Sequence, residues 1–233
     1  MDKNKIQHIF FDLDNTLWDH RGNSKIVLGK MFKTYEITAK YGIEFEKWHD
    51  FYYDHNELLW ERLREGKITK EELRDQRFYI PFANFGVKDF ALSNEFEEVY
   101  LKEIGKMSGT VEGAEELLEY LSKNYTLHII TNGFIEVSEA KIVNAKIDHY
   151  FASLTSADEL GVRKPDPRVF TLAMEKAGAT KENSIIIGDD WIADIIGGTG
   201  FGWKAIFLDC FRDENHLEGV PNVYKLLEIK NYL

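Results

Sequence analysis

Short apolar runs that stop abruptly at acids, polar residues or glycine constrain this chain more than any other feature. Ile6 to Phe11 is β-branched and aromatic and meets an acid at Asp12, so it reads as a buried strand rather than a helix. Thr126 to Ile130, Tyr150 to Leu154, Ser184 to Ile187 and Trp203 to Leu208 repeat the pattern. Between them lie helical patterns at Val111 to Lys123, Glu136 to Ala145, Arg168 to Gly178 and a short one after Asp190. Strands alternating with helices predict an α/β fold, a Rossmann-like parallel sheet with helices on both faces, and such sheets bind ligands at the carboxyl ends of their strands.

The interval 18–107 breaks this alternation, with four helix-like stretches and no strand. They run from Lys25 to Tyr41, Glu44 to Glu65, Thr69 to Phe85 and Ser93 to Met107, with Gly42, Gly66 and Gly86 as C-terminal stops. The expected organisation is an α/β core made of 1–17 and 108–233 with an all-helical module, 18–107, inserted in it. Trp48, Phe51, Tyr52, His55 and Leu59 recur at helical spacing, which predicts a face packed into that module; stacking on a ligand base is the alternative.

Charge and cysteine usage narrow the partners. Among 233 residues, 40 are Asp or Glu and 29 are Lys or Arg, a net charge of -11 with no polybasic run, so neither duplex nucleic acid nor an anionic membrane is an expected partner. A small anionic substrate would need a metal ion or local Lys and Arg. The single cysteine, Cys210, is expected to be a packed, inert thiol. The apolar run near the N-terminus is too short for a signal peptide and no 18-residue apolar stretch occurs, which makes cytoplasmic the expected location. No histidine has a partner at metal-ligand spacing, so no zinc site is expected.

Four strings carry chemistry. The first strand runs into Phe11-Asp12-Leu13-Asp14-Asn15-Thr16-Leu17. Acids two residues apart on an extended chain point to one side, toward the ligand crevice. They suit a divalent cation, or one carboxylate that attacks beside another that moves protons; a plain strand-to-turn junction has the same composition. Thr131-Asn132-Gly133 offers a hydroxyl, a backbone amide and a close approach to phosphate oxygens, and would equally make a turn into a capped helix. Lys164, in Gly161-Val162-Arg163-Lys164-Pro165-Asp166-Pro167, is either a fixed point charge in a stiff loop or a solvated lysine. Gly188-Asp189-Asp190-Trp191-Ile192-Ala193-Asp194 packs three acids into six residues, an arrangement that is costly unless a cation sits among them. Each acidic or phosphate-cradling string follows an expected strand, and the four come in one consistent order along the chain, which argues against coincidence.

With these strings the sequence resembles the phosphatases of the haloacid dehalogenase superfamily over nearly its whole length, and the helical insert resembles that superfamily's cap, which closes over the site. TNGF, GVRKPD and GDDWIADIIGG look most like the cytoplasmic 5'-nucleotidases of pyrimidine and noncanonical nucleoside monophosphates. The resemblance implies that Asp12 attacks phosphorus to give an aspartyl phosphate, and that Asp14 protonates the leaving oxygen and then deprotonates water. Thr131, with the Asn132 amide, and Lys164 would hold the phosphoryl group. Mg²⁺ would be bound by Asp12, the Asp14 backbone carbonyl and Asp189, with Asp194 orienting that shell and Asp190 outside it. The expected partner is a small phosphate ester, a nucleoside monophosphate first; a sugar-phosphate or phosphoglycolate phosphatase is the alternative, and a non-catalytic phosphate-binding protein the other class. Asp14 argues against dehalogenation, because a carbon–halogen bond needs no proton on its leaving group. Trp18, Asp19, His20 and Arg21 follow the first motif as substrate contacts or as a hinge.

Overall fold

A computed structural model describes residues 5–212 and 215–233. Strand β1 (His8–Phe11) is followed by five helices, α1 (His20–Thr34), α2 (Ile37–Tyr41), α3 (Phe45–Arg64), α4 (Lys70–Asn84) and α5 (Phe90–Ile104). The chain continues as α6 (Ala114–Leu121), β2 (Thr126–Thr131), α7 (Ile135–Asn144), β3 (Phe151–Ser156), α8 (Pro167–Ala177), β4 (Ser184–Gly188), α9 (Gly197–Phe201), β5 (Lys204–Leu208) and β6 (Asn222–Val223). It forms two compact units, Met1–His20 with Ser108–Leu233, and Arg21–Met107. Trp18 and Asp19 go with the first unit because Trp18 makes backbone bridges to Asp14 and Thr110, and the Asp19 N–H donates to the Gly109 carbonyl at 3.1 Å.

The first unit is a six-stranded sheet in the order β3-β2-β1-β4-β5-β6, parallel throughout. Ile9, Phe10 and Phe11 are all fully buried, as are Ile185, Ile186 and Ile187. Successive strand residues face opposite sides, so both faces of the sheet are covered. Phe10, Ile130, Ile186 and Phe207 pack with Val169, Phe170 and Ala173 of α8 in one core cluster. The chain leaves β1 toward β2 on one side and returns to β4 on the other. That reversal places a topological switch point at the carboxyl ends of β1 and β4, where open α/β sheets bind ligands. The two-residue β6 is too short to leave a sequence pattern, and it pairs with β5 through Phe207 and Leu208.

The second unit is all helical. Trp48, Tyr52, Asn56, Leu59 and Leu63 form the buried face of α3, and Trp48 and Tyr52 stack with Phe78. Phe51 and His55, expected on that face, are half-buried. The continuous helix expected from Lys25 to Tyr41 is two helices, because the chain turns at Glu36, whose φ of 54° is left-handed and ends α1's path. Gly42, Gly66 and Gly86 do take left-handed φ at the ends of α2, α3 and α4. A capping box starts α4: Thr69 Oγ1 accepts the Glu72 N–H at 3.1 Å and Glu72 Oε2 accepts the Thr69 N–H at 2.8 Å.

Candidate active site

Strand register gathers the site. Phe11 pairs with Ile129 of β2 and Ile187 of β4, and the Asp12 N–H donates to the Ile187 carbonyl at 2.9 Å. Asp12 therefore leaves the sheet where β2 ends in Thr131 and β4 runs through Gly188 into Asp189. A Cβ on Gly188 would collide with the Asp194 carboxylate, so glycine is what lets Asp194 reach this strand end.

Lys164 stands at the centre, 1% exposed. Its ammonium donates to Asp12 Oδ1 at 2.7 Å, Asp194 Oδ1 at 2.6 Å and the Ile130 carbonyl at 2.8 Å, which uses all three of its protons. Asn132 holds the lysine's main chain from both sides: the Lys164 N–H donates to Oδ1 at 2.7 Å, and Nδ2 donates to the Lys164 carbonyl at 3.1 Å. Burial works against the charge of Lys164, but Asp12 and Asp194 outweigh it and hold the ammonium above the ordinary lysine range.

Carboxylate oxygens of Asp12, Asp189 and Asp194 lie within 4.8 Å of one another. At that separation each pair of charges repels by about 3–4 kcal/mol at an effective dielectric near 20. Burial raises the Asp12 carboxyl despite Lys164, with Asp14 and Asp190 adding to the rise. Burial, then Asp12 and Asp194, push Asp189 well up. Asp194 is pushed up to about 7, chiefly by burial, with Lys164 opposing and Asp12 adding. With all three carboxylates ionised, one ammonium would leave two negative charges in excess, and three hard oxygen donors facing each other fit a divalent cation such as Mg²⁺. Thr16 Oγ1 donates to Asp189 Oδ1 at 2.8 Å, and the Asp190 N–H donates to Asp194 Oδ2 at 3.1 Å. Asp190 itself faces the next turn, where its Oδ1 accepts the N–H groups of Ile192 and Ala193 at 2.9 and 2.8 Å. That turn, Trp191–Ile196, is wound as a π-helix, a form that recurs at functional sites.

The Asp14 side chain takes a different direction. Its Oδ1 accepts from the Lys141 ammonium at 2.6 Å, with His20 Nδ1 at 3.8 Å. Burial would raise this carboxyl, but Lys141 and His20 outweigh burial and the net displacement is downward. Thr131 Oγ1 accepts the Gly133 N–H at 3.0 Å, which leaves its own proton to donate, and Ser156 Oγ fixes the loop by donating to the Gly133 carbonyl at 2.7 Å. A Cβ on Gly133 would stand 3.0 Å from Ser138 Oγ, 3.3 Å from Thr131 Oγ1 and 3.5 Å from Asp14 Oδ2, so glycine keeps this loop open beside three oxygens. Asp12, Lys164, Asp189 and Asp194 thus come together, with Asn132 bracing Lys164 and Thr131 in the adjoining loop. Lys141 and Thr16 were not expected at the site, whereas His20, expected as a substrate contact or a hinge residue, lies beside Asp14. Thr16 was legible within its motif, whereas Lys141 lies in an ordinary helical pattern.

Residues 6–202 match the family described as haloacid dehalogenase-like hydrolase. The chain is 30% identical to the pyrimidine 5'-nucleotidase PynA of Streptococcus pneumoniae, over 91% of its own length and 88% of PynA. It is also 30% identical to the pyrimidine 5'-nucleotidase YjjG of Escherichia coli, over 90% and 89%. Its fold is similar to that of the HAD-hydrolase YfnB of Bacillus subtilis bound to magnesium, with a TM-score of 0.87, 24% identity and 98% of each chain covered.

Proposed function

Because the chain belongs to the haloacid dehalogenase-like hydrolases, we propose that it is a magnesium-dependent phosphomonoester hydrolase working through an aspartyl phosphate on Asp12, with nucleoside 5'-monophosphates as its substrates. The observation that carries this reading is a contrast between two carboxylates two residues apart. Asp12 is tied to a buried ammonium and faces Asp189 and Asp194, whereas Asp14 is turned to Lys141. Carboxylates that share a site but not an environment divide the labour of nucleophile and proton carrier.

In the first half-reaction an Asp12 oxygen bonds to phosphorus as the ester P–O bond breaks, and Asp14 gives its proton to the leaving oxygen. In the second, water bonds to phosphorus, Asp14 takes the water proton, and the Asp12–phosphorus bond breaks to release inorganic phosphate. The Thr131–Gly133 loop holds the phosphoryl oxygens in both, and Lys164, whose three protons are engaged, supplies a fixed positive charge beside Asp12 that favours the phosphoryl group. Asp12, Asp189 and the Asp14 backbone carbonyl would hold Mg²⁺, with Asp194 bracing them against Lys164. When bound, Mg²⁺ supplies positive charge that offsets the repulsion between nucleophile and phosphate and favours ionised Asp12. The incoming phosphate, itself anionic, favours the protonated form of Asp14.

The names of PynA and YjjG support a pyrimidine nucleotide as substrate. Rates on nucleoside monophosphates, hexose phosphates and phosphoglycolate with Mg²⁺ test it. Pyrimidine nucleoside 5'-monophosphates should have the higher kcat/KM, by about 10-fold to 200-fold, which one or two base contacts supply. A sugar phosphate cleaved tenfold faster than every nucleotide would remove the nucleotidase assignment and leave the phosphatase.

A further inference from the structure

We infer that Lys141 is a positioning residue for the reaction proposed above: it pins Asp14 Oδ1 and so assigns Asp14 Oδ2 to proton transfer in both half-reactions. The inference rests on the phosphatase reading and deepens it, since Lys141 lies outside all four motifs.

A lysine on α7 that is only 4% exposed needs a partner to be stable there. Lys141 has one on each side. Its ammonium is 2.6 Å from Asp14 Oδ1 and 4.4 Å from the centre of the Trp18 ring, and Trp18 is fully buried and bridged through its backbone to Asp14. Indole and carboxylate thus hold the ammonium between them. His20 Nδ1, at 3.8 Å, faces the same Oδ1. One carboxylate oxygen is therefore engaged by basic side chains, and the other, Oδ2, is the oxygen that comes within 3.5 Å of a Cβ placed on Gly133 in the phosphate-cradling loop.

An oxygen bound in a short, charge-assisted hydrogen bond is a poor site for a moving proton. Oδ2 is left for that task. In the first half-reaction its O–H bond breaks and the proton goes to the ester oxygen that leaves phosphorus; in the second it takes a proton from the attacking water, which restores the starting state. Without Lys141 the Asp14 carboxylate can turn about its side-chain torsions, and a misplacement of about 1 Å is enough to cost roughly 100-fold.

The test uses leaving groups. On a nucleoside 5'-monophosphate, whose alkoxide leaving group needs a proton, Lys141→Met should lower kcat by roughly 10-fold to 100-fold with KM changed by less than about threefold. On p-nitrophenyl phosphate the leaving phenolate needs no proton, so the first half-reaction is spared while hydrolysis of the aspartyl phosphate is slowed. Rapid mixing of this variant with p-nitrophenyl phosphate should then show a burst of nitrophenolate that approaches one per active site. Lys141→Arg, which keeps a cation near Oδ1, should recover most of the rate on the nucleotide. Lys141→Gln is read in the same way if the Met variant does not fold. A Lys141→Met or Lys141→Gln enzyme that keeps wild-type kcat on the nucleotide, loses only KM, or loses both substrates equally without a burst overturns the inference. A wild-type enzyme that cleaves neither ester overturns the phosphatase reading and this inference with it.

Discussion

A single ammonium joins three separate stretches of chain at the site. Lys164 bonds to Asp12 on the β1 end, Asp194 in the π-wound turn and the carbonyl of Ile130 in β2. Removing one partner of a buried ion pair strands the other charges, which typically costs about 3–5 kcal/mol. Lys164→Met is therefore expected to lower unfolding free energy by about that much at pH 8, as measured by urea denaturation. The loss should shrink toward pH 5. Lys164 holds the Asp12 and Asp194 carboxyls down against burial, so without it they rise further, and the variant's folded state takes up more protons than the wild type's and recovers stability as pH falls. An equal loss at both pH values would contradict the paired geometry. Asp12→Asn is expected to abolish turnover while the fold is kept, because an amide cannot form the acyl phosphate; more than a few per cent of residual activity in pure protein would remove Asp12 as nucleophile. At this scale the sequence marked Asp12, Asp189 and Lys164 by their motifs. It did not mark the Asn132 side chain as the clamp on Lys164, because an Asn after a strand end carries the signature of a turn residue whichever way its side chain points.

Among the elements, strands β1, β2 and β3 are joined by a polar chain that no local pattern announces. His8 Nδ1 lies 3.1 Å from His128 Nε2, and His128 Nδ1 lies 2.8 Å from Ser153 Oγ, with the Phe10 ring stacked on His128 at 4.8 Å. Burial, helped by His8, lowers His128 to about 4, and burial lowers His8. An unfolded histidine takes a proton near pH 6.5, so below that pH the unfolded chain binds more protons. The stability gained by keeping His128 neutral is complete above about pH 6.5 and is lost as pH falls toward 4. Wild type is therefore expected to lose on the order of 2 kcal/mol between pH 7 and pH 5 relative to His128→Gln, read as the difference between urea unfolding curves. A difference that stays constant with pH would show that the pair does not titrate this way. Helix–strand alternation gave the five long strands and the helices between them. The break at Glu36 was hidden because Ile37, Ala39 and Lys40 continue an acceptable helical composition, and only a left-handed residue reveals the turn.

Taken whole, the molecule carries a net charge of -11 and gathers Asp12, Asp189 and Asp194 with one compensating ammonium. A cation that binds only the folded chain stabilises it by mass action, about 2.7 kcal/mol at one hundred times its dissociation constant. Mg²⁺ is thus expected to raise the melting temperature, EDTA to reverse that rise and abolish turnover, and Asp189→Asn to weaken the thermal response. Ca²⁺ should replace Mg²⁺ poorly in turnover, because its larger and looser coordination misplaces the nucleophile. A melting temperature indifferent to both Mg²⁺ and EDTA would contradict a metal at these carboxylates. Among the described residues no helix is long and apolar enough to cross a membrane. By itself the sequence determined the α/β alternation, the run of helices between β1 and β2 and the positions of the strings that meet at the strand ends, because each is a local pattern of periodicity, turn residues or motif spacing. Only the tertiary structure decided that Lys141 meets Asp14 across 127 positions, that His8 meets His128 across 120, and that Lys164 meets Asp12 across 152. Those meetings depend on strand register and side-chain packing between distant segments, and a residue such as Lys141 carries the same local signature whether its helix turns it toward water or toward a buried carboxylate.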